Sequence, residues 1–150
     1  MEIKRLTKEN LKDYIKYLNT ALSEEPEQIM TDSVDEKSME KALSDNSPEL
    51  CKSLVAYEGG RLVGSLEYHF YICLQDSCKM AYVDWVYTLK PFRQRGVAKS
   101  LFCEFERLCL ENGVKQYFLI QADNSGASGF YSSFRAASSA EAVILRKTIL

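Results

Sequence analysis

The composition of this 150-residue chain is typical of one globular domain, because 46 % of its residues are hydrophobic and 27 % are charged. A net charge of −2 argues against a general nucleic-acid binder, and no apolar run reaches the length of a membrane span. The first residues lack the apolar stretch of a signal peptide. The chain has five cysteines, an odd number, so they cannot all form disulfides within the chain. We therefore expect a single cytoplasmic domain over residues 1–150, with free thiols and with neither nucleic acid nor membrane as a partner.

Hydrophobic periodicity predicts helices and strands in the order β-α-α-β-β-β-α-β-α-β. Strands are predicted at residues 3–6, 51–57, 62–74, 80–89, 116–122 and 142–149, and helices at about 8–25, 33–43, 97–112 and 125–134. Ser33 and Glu36 form a capping-box pattern that opens the second helix, and a loop is predicted at 45–48. Paired glycines, Gly59 and Gly60, predict a tight hairpin turn. Helices on both faces of a mixed α/β sheet would bury its strands.

The clearest local signal is a strand, a basic loop and a helix in succession. A buried strand at 80–89 leads into the loop, and an amphipathic helix at 97–112 follows, with Gly113 as its predicted end. Backbone N–H groups at the start of a helix lack intrahelical partners, and the helix dipole adds partial positive charge, so a phosphate fits there. Gly96 lets the backbone come close to the phosphate. Formal positive charge is added by Arg93, Arg95 and Lys99.

The stretch Arg93-Gln94-Arg95-Gly96-Val97-Ala98 resembles the pyrophosphate-binding motif of the GNAT superfamily of N-acetyltransferases, Arg/Gln-x-x-Gly-x-Gly/Ala. Without its flanks, this short pattern would be interpreted as a basic turn that binds nothing. The order of the predicted elements, however, resembles the GNAT fold over essentially the full chain. The resemblance implies a mixed, mostly antiparallel sheet with splayed central strands. It also implies an enzyme that moves an acetyl group from acetyl-CoA to a primary amine by direct attack.

The resemblance also assigns the residues that hold acetyl-CoA. In the family, backbone N–H groups of the loop bind the pyrophosphate. The backbone of the central strand holds the pantetheine arm and the thioester carbonyl, where that strand bends away from its neighbour. Carried over to this chain, the cofactor-binding residues are Val86, Tyr87, Thr88, Arg93, Gln94, Arg95, Gly96, Val97, Ala98, Lys99 and Asn124.

Tyr131 is the candidate general acid. The stretch from Asn124 to Tyr131 resembles the family's Asn…Ala…Tyr signature, in which the tyrosine hydroxyl faces the CoA sulfur and the asparagine bonds the pantetheine arm. A phenol is protonated at neutral pH and can donate to a departing thiolate. The family usually continues Tyr-x-x-x-Gly-Phe, whereas this chain reads Ser132-Ser133-Phe134-Arg135. Because the chain has nine tyrosines, packing between a helix and a sheet is the alternative role.

Asp84 is the candidate general base. Alternation along the strand places it on the same face as Tyr82, Val86 and Thr88. Residues 82–93 resemble the same strand in diamine acetyltransferases, where a glutamate at the matching position lies in the acceptor site and is proposed to draw off the proton through water. A structural ion pair, or direct binding of the substrate ammonium, would use this carboxylate equally well.

Other candidate bases come from the preceding strand. His69 is the only histidine, the residue type that most often serves as a general base, and Glu67 shares its strand face. A water molecule is the remaining candidate. One histidine, together with cysteines that lack paired spacing, makes no zinc motif, so the sequence predicts no metal site.

The acceptor is left open by the sequence. Residues 24–49 hold nine acids against two lysines, a net charge of −7, so the rest of the chain carries +5. A basic body suits polyanionic acetyl-CoA, and the acidic segment could attract a small cationic amine, although a solvated helix face explains the acids equally well. The alternatives are a protein acceptor, through its N-terminus or a lysine, and a regulatory module that binds acyl-CoA without turnover. The sequence does not set the oligomeric state, and a homodimer is one option because the superfamily often forms dimers.

Overall fold

The computed structural model describes residues 1–28, 33–45 and 50–149. Its elements are β1 (Glu2–Arg5), α1 (Leu11–Glu24), α2 (Glu36–Asp45), β2 (Lys52–Glu58), β3 (Arg61–Cys73), β4 (Cys78–Thr88), α3 (Val97–Glu111), β5 (Gln116–Leu119) and α4 (Ser125–Tyr131). Met1–Leu119 form one compact unit and Ile120–Leu150 form a second, smaller one. Within the described ranges, no helix is both long and apolar enough to cross a bilayer. The expectation of a single domain stays a prediction.

The five strands form one sheet in the order β1-β2-β3-β4-β5. The first four are antiparallel to their neighbours, and short hairpins join β2, β3 and β4. β5 runs parallel to β4, as expected for a strand that returns through a helical crossover. The predicted mixed, mostly antiparallel sheet is therefore confirmed. The first four strands lie within two residues of their predicted bounds, whereas β5 ends at Leu119, earlier than predicted.

An apolar stripe on α1 packs against one face of the sheet. Its buried residues are Leu11, Tyr14, Tyr17, Leu18 and Ala21. The hydroxyl of Tyr17 donates to the backbone oxygen of Tyr87 at 2.8 Å, and Ser65 Oγ donates to the Tyr17 hydroxyl at 3.2 Å. These bonds satisfy the buried hydroxyls and fix α1 relative to both β3 and β4.

The opposite face of the sheet is covered by α3. Successive residues of a strand point to opposite faces. Glu67 of β3 meets Tyr14 of α1, and the next residue, Tyr68, packs against Phe105 of α3 with ring centroids 5.1 Å apart. The buried stripe of α3 is Val97, Leu101, Phe102, Phe105, Leu108 and Cys109. Gly113 has a φ of +70° just after the helix, so the predicted helix end is confirmed.

Gly64 of β3 allows the close approach of α3. A Cβ at this position would lie 2.6 Å from Val97 Cγ1 and 3.2 Å from the backbone oxygen of Tyr87. Gly64→Ala should therefore lower the free energy of unfolding by about 1–3 kcal/mol, the usual cost of overpacking, as measured by chemical denaturation. Gly129→Ala is the control, because no atom lies within 4 Å of the added Cβ. An unchanged stability of the Gly64 variant would contradict the close packing.

The start of α2 differs from the prediction. The helix begins at Glu36, and Asp35 accepts bonds from the N–H of Ser38 at 3.0 Å and from its hydroxyl at 2.7 Å. The capping box predicted on Ser33 and Glu36 is therefore wrong. A carboxylate beside the first turn accepts these bonds and also interacts favourably with the helix dipole. The same bonds lower the pKa of Asp35. The loop predicted at 45–48 falls mostly outside the described residues.

The strand predicted at 142–149 is also wrong. In the described structure, residues 136–149 form neither helix nor strand. The side chains of Val143 and Leu145 are 98 % and 92 % exposed. A strand needs a partner for its backbone N–H and C=O groups, and no described strand lies within this second unit. An apolar run alone therefore does not specify a strand.

Candidate active site

A β-bulge in β4 determines where Asp84 lies. In the β3–β4 ladder Glu67 pairs with Trp85 and Tyr68 pairs with Val83, so Asp84 is an extra residue on β4. A bulge bends its strand, leaves one residue unpaired and changes where the side chain points. Bulges of this kind are common beside active sites.

The bulge also shifts the alternation of side chains along β4. Tyr82, before the bulge, lies on the same face as Asp84, because both contact the imidazole of β3. Thr88 lies on the α3 face, where its Oγ1 would be 3.4 Å from a Cβ on Gly64. Val86 shares that face because it lies two residues from Thr88. The predicted common face is therefore right for Tyr82 and wrong for the other two residues.

A thiol, an imidazole and a carboxylate meet on the face that α1 covers. Asp84 Oδ2 lies 2.9 Å from His69 Nδ1 and accepts from Cys51 Sγ at 3.4 Å, and the sulfur lies 4.0 Å from the imidazole nitrogen. The side chains of His69 and Asp84 are 43 % and 31 % exposed, so small molecules can reach them. We call Cys51, His69 and Asp84 the thiol–imidazole–carboxylate cluster.

Cys51 was not predicted to be a site residue. It lies 33 residues before Asp84 along the chain, and no sequence motif marks it. Burial, and then the charge of Asp84, raise the pKa of the Cys51 thiol to about 12. The thiol is therefore protonated at neutral pH and is a poor nucleophile.

Glu67 lies deeper on the same face. Its Oε1 accepts from the hydroxyl of Tyr14 in α1. Burial raises the pKa of Glu67, the bond from Tyr14 lowers it, and the charge of Asp84 raises it. Among the described residues, no lysine or arginine forms an ion pair with either carboxylate. This part of the sheet therefore holds two carboxyl groups without a basic partner, a partly exposed one at Asp84 and a buried one at Glu67.

Aromatic rings lie beside these carboxylates. Trp85 and Tyr87 stack with ring centroids 5.6 Å apart, and Tyr82 packs against Phe118 of β5 at 4.7 Å. The indole nitrogen of Trp85 is buried and has no hydrogen-bond partner within the described ranges. Because aromatic faces attract cations, these rings and the two carboxylates together favour a positively charged ligand.

β5 is shorter than β4 and pairs with only part of it. Their pairing ends at Val83 and Leu119, and β4 continues to Thr88 with no described strand beside it on that edge. The open edge of the sheet is consistent with the GNAT fold, and the splayed central strands expected from the sequence stay a prediction. The backbone at 86–88, which is predicted to hold the pantetheine arm, lies along this unpaired edge.

The loop before α3 presents backbone N–H groups. Gln94 and Gly96 have φ angles of +59° and +81°, and Gly96 is the N-cap residue. Within the described structure no side chain caps α3, and its first N–H with a backbone acceptor is that of Ser100, which donates to Gly96 O at 2.9 Å. The N–H groups at 97–99 and the helix dipole therefore fit the diphosphate of a CoA molecule. The positive φ of Gln94 was not predicted, because glutamine carries no signal for it.

Arg93 holds this loop in place. Its guanidinium donates to the two carboxylate oxygens of Glu25 at 3.2 and 2.5 Å, and its Nε donates to Thr88 O at 3.1 Å. It also lies over the ring of Tyr87, 5.2 Å from the centroid. The bonds from Arg93 lower the pKa of Glu25. Sequence reasoning missed Glu25 because it precedes Arg93 by 68 residues.

The other two cations of this region, Arg95 in the motif and Lys99 just after it, differ in their surroundings. Arg95 forms an ion pair with Glu58 at 3.0 Å. Lys99 is exposed in the first turn of α3, and no carboxylate of the described residues forms an ion pair with it. Backbone amides, the helix dipole and Lys99 therefore provide most of the positive potential available to a phosphate.

The second unit contains the candidate acid. The sequence offers Asn124 or Ser125 as the cap of this helix; Asn124 is the N-cap of α4, and its Oδ1 accepts from the N–H of Ala127 at 2.8 Å. Tyr131, at the end of α4, packs against Phe130 and Phe134 with ring centroids 5.2 and 5.3 Å apart. Burial raises the pKa of Tyr131 to about 12, so its hydroxyl is protonated at neutral pH. The catalytic and cofactor roles of Asn124 and Tyr131 stay predictions.

The unpaired edge of β4 and the amide-lined loop before α3 fit an α/β protein that binds the diphosphate and arm of an acyl-CoA. A family model described as an acetyltransferase (GNAT) domain matches residues 2–134, so the chain belongs to the GNAT acetyltransferase family. GNAT acetyltransferases use acetyl-CoA, and the chain is an N-acetyltransferase with acetyl-CoA as its cosubstrate. The resemblance noted in the sequence is therefore confirmed. No curated protein matches the chain.

Solved structures with the same fold belong to acetyltransferases with different acceptors. One of them is an aminoglycoside acetyltransferase, meta-AAC0020 from an uncultured soil metagenomic sample, solved in complex with sisomicin. The two sequences are 19 % identical, the TM-score is 0.82, and the alignment covers 99 % of this chain and 95 % of that chain. A ribosomal-protein-alanine N-acetyltransferase from Brucella melitensis biovar Abortus 2308 is 18 % identical, with 98 % and 100 % covered and a TM-score of 0.76. The aminoglycoside N-acetyltransferase AAC(6')-Iy in complex with CoA is 17 % identical, with 99 % and 100 % covered and a TM-score of 0.69.

Proposed function

We propose that this acetyltransferase acetylates a primary amine of a small cationic molecule by direct attack on acetyl-CoA. The observation that carries the proposal is the anionic and aromatic surface around the bulge of β4. Asp84 and Glu67 lie there without a lysine or arginine partner among the described residues, and Trp85 lies beside them. Carboxylates and aromatic faces both attract an ammonium group, and a low local dielectric strengthens the attraction.

The cofactor would be held by the backbone. The N–H groups from Gln94 to Lys99 would bind the pyrophosphate, and the unpaired edge at 86–88 would bind the pantetheine arm. Asn124 would contribute its amide N–H₂ group, because its Oδ1 already accepts from Ala127. Acetyl-CoA supplies an acetyl group that is activated as a thioester.

Asp84 would take the proton that the ammonium must lose before the amine can attack. Its position on the bulge and its exposure support this role, since an amine has to approach the carboxylate directly or through one water molecule. Tyr131 would hold a proton on its hydroxyl for the leaving sulfur. Glu67, His69 and water remain the alternative bases.

A protein acceptor is the second candidate, and the fold shared with a ribosomal-protein-alanine N-acetyltransferase favours it. Two aminoglycoside acetyltransferases of the same fold favour a small amine instead. The unpaired carboxylates support the small amine, because several cationic groups on one small molecule would neutralise both. A cytoplasmic location and a homodimer stay predictions.

The proposal is tested by thiol release from acetyl-CoA with three sets of acceptors: polyamines, aminoglycosides and peptides with a free N-terminus. We expect turnover with at least one small polyamine or aminoglycoside and little with peptides. Asp84→Asn should lower turnover by about 100-fold, a typical loss for a general base, with acetyl-CoA binding unchanged by calorimetry.

Asp76→Asn is the matched control for the Asp84 variant. Asp76 also accepts from a cysteine thiol, that of Cys73 at 3.1 Å, but it lies in the exposed turn between β3 and β4. Its replacement should leave turnover unchanged. Turnover with peptides alone would contradict the proposed acceptor class, and equal turnover in the two aspartate variants would remove Asp84 from the role of base.

A further inference from the structure

Three adjacent strands bring three different metal-binding side chains to one point. Cys51 lies just before β2, His69 lies on β3, and Asp84 is the bulge residue of β4. The three ligand atoms, one sulfur, one nitrogen and one oxygen, lie close together on the same face of the sheet. The sequence predicted no metal site, because the spacing of histidine and cysteine along the chain matches no zinc motif. The sheet brings residues together that are 15 and 18 positions apart.

The separations of these atoms suit a zinc ion. Tetrahedral zinc has bonds of about 2.3 Å to sulfur and about 2.0–2.2 Å to nitrogen and oxygen, so its ligand atoms lie roughly 3.4–3.6 Å apart. In the cluster, the oxygen–nitrogen, sulfur–oxygen and sulfur–nitrogen distances are 2.9, 3.4 and 4.0 Å. Each differs from the tetrahedral value by about half an ångström or less, which small side-chain rotations can supply.

The charge of the surroundings also suits a divalent cation. Asp84 and the nearby Glu67 have no lysine or arginine partner among the described residues. The rings of Tyr71 and Tyr82 lie 5.9 and 5.6 Å from the imidazole of His69, so the imidazole is held between two aromatic side chains. A cation bound there would face an anionic surface with its ligands already positioned.

We propose that Cys51, His69 and Asp84 bind one Zn²⁺ ion, with the fourth coordination position open to water or to an amine. Three protein ligands of nitrogen, oxygen and sulfur type with one open position are typical of reactive zinc sites, whereas structural sites use four protein ligands. On binding, the thiol of Cys51 loses its proton to the buffer. The imidazole of His69 carries its proton on Nε2, so that Nδ1 can bind the metal.

Zinc binding at this position would inhibit the enzyme, an effect that rests on the proposed function. Asp84 cannot accept a proton from the amine while its carboxylate binds a metal ion. Removal of the ion by a chelator would restore turnover. Asp84 would then have two mutually exclusive functions, proton transfer without the ion and metal binding with it, whereas Cys51 and His69 would serve the metal site.

The test measures Zn²⁺ binding to the full-length protein by competition with a chromophoric indicator, without turnover. We expect about one ion per chain, and Cys51→Ser and His69→Gln should each weaken binding by about tenfold or more. With Co²⁺ as the probe, the wild-type protein should show a thiolate-to-metal charge-transfer band that Cys51→Ser lacks. In the transfer assay, Zn²⁺ should inhibit the wild-type enzyme, and Cys51→Ser should need about tenfold more of it.

The double variant Cys73→Ser/Cys78→Ser is the matched control, because these two thiols are paired across the β3–β4 hairpin and could also bind a metal ion. It should bind Zn²⁺ as tightly as the wild-type protein. The proposal is overturned if the wild-type protein binds Zn²⁺ no more tightly than Cys51→Ser, or if the double variant alone loses binding. Zn²⁺ binding is measured without an acceptor amine. The experiments can therefore reject the proposed acetyl transfer and still support the zinc site, or reject the zinc site and still support acetyl transfer.

Discussion

Gly96→Ala should raise the Kd for acetyl-CoA by about tenfold or more, which corresponds to about 1.4 kcal/mol of binding free energy. The residue has a φ of +81° at the N-cap of α3, and the space around it is open, since an added Cβ would meet no atom within 4 Å. A methyl group would therefore occupy the space that a phosphate needs in order to approach the N–H groups of the first turn. Calorimetry with acetyl-CoA measures the effect.

Gly113→Ala is the matched control, because it ends the same helix with a φ of +70° and equally open surroundings. Both variants should lose about 1–2 kcal/mol of stability from the left-handed backbone, measured by thermal denaturation. Only the variant at position 96 should lose affinity for the cofactor. Equal affinities in the two variants would show that the loop does not bind the pyrophosphate.

Tyr131→Phe should lower turnover by about 100-fold and leave the Kd for acetyl-CoA nearly unchanged. The substitution removes only the hydroxyl and keeps the ring that packs against Phe130 and Phe134. Burial raises the pKa of Tyr131 to about 12, so the hydroxyl stays protonated from neutral pH to about pH 10. Loss of the acid form therefore should not reduce the wild-type rate over that range.

Tyr117→Phe provides the comparison for this variant. Tyr117 lies on β5, and its hydroxyl donates to Glu106 of α3 at 2.8 Å. Its replacement removes one exposed hydrogen bond and should leave both turnover and cofactor affinity unchanged. If Tyr131→Phe turns over as fast as Tyr117→Phe, the proton for the leaving sulfur comes from another donor.

The parts of the site that depend on local sequence were predicted well. The loop at 93–98 and helix α3 follow from neighbouring residues, since a glycine before an apolar helical stripe specifies both the turn and the start of the helix. The cap at Asn124 has the same local origin, because its side chain bonds an N–H three residues away. In each case the residues that interact are close in sequence, so a local sequence pattern is enough to predict the structure.

The parts that depend on strand pairing were not predictable. The bulge at Asp84 exists only in relation to β3, and it reverses the face of Val86 and Thr88. The partner of Arg93 is Glu25, which is distant in sequence and carries no motif of its own. The strand predicted at 142–149 is absent for the same kind of reason. Its local composition favours a strand, but the described second unit contains no partner strand.

The contacts of Arg93 have a consequence for the thermodynamics of cofactor binding. The guanidinium links the loop to Glu25 beyond the end of α1 and to the last carbonyl of β4. The loop therefore loses its conformational entropy when the chain folds, before any nucleotide binds. A preorganised receptor of this kind retains more of its contact energy as affinity than a loop that has to become rigid during the encounter.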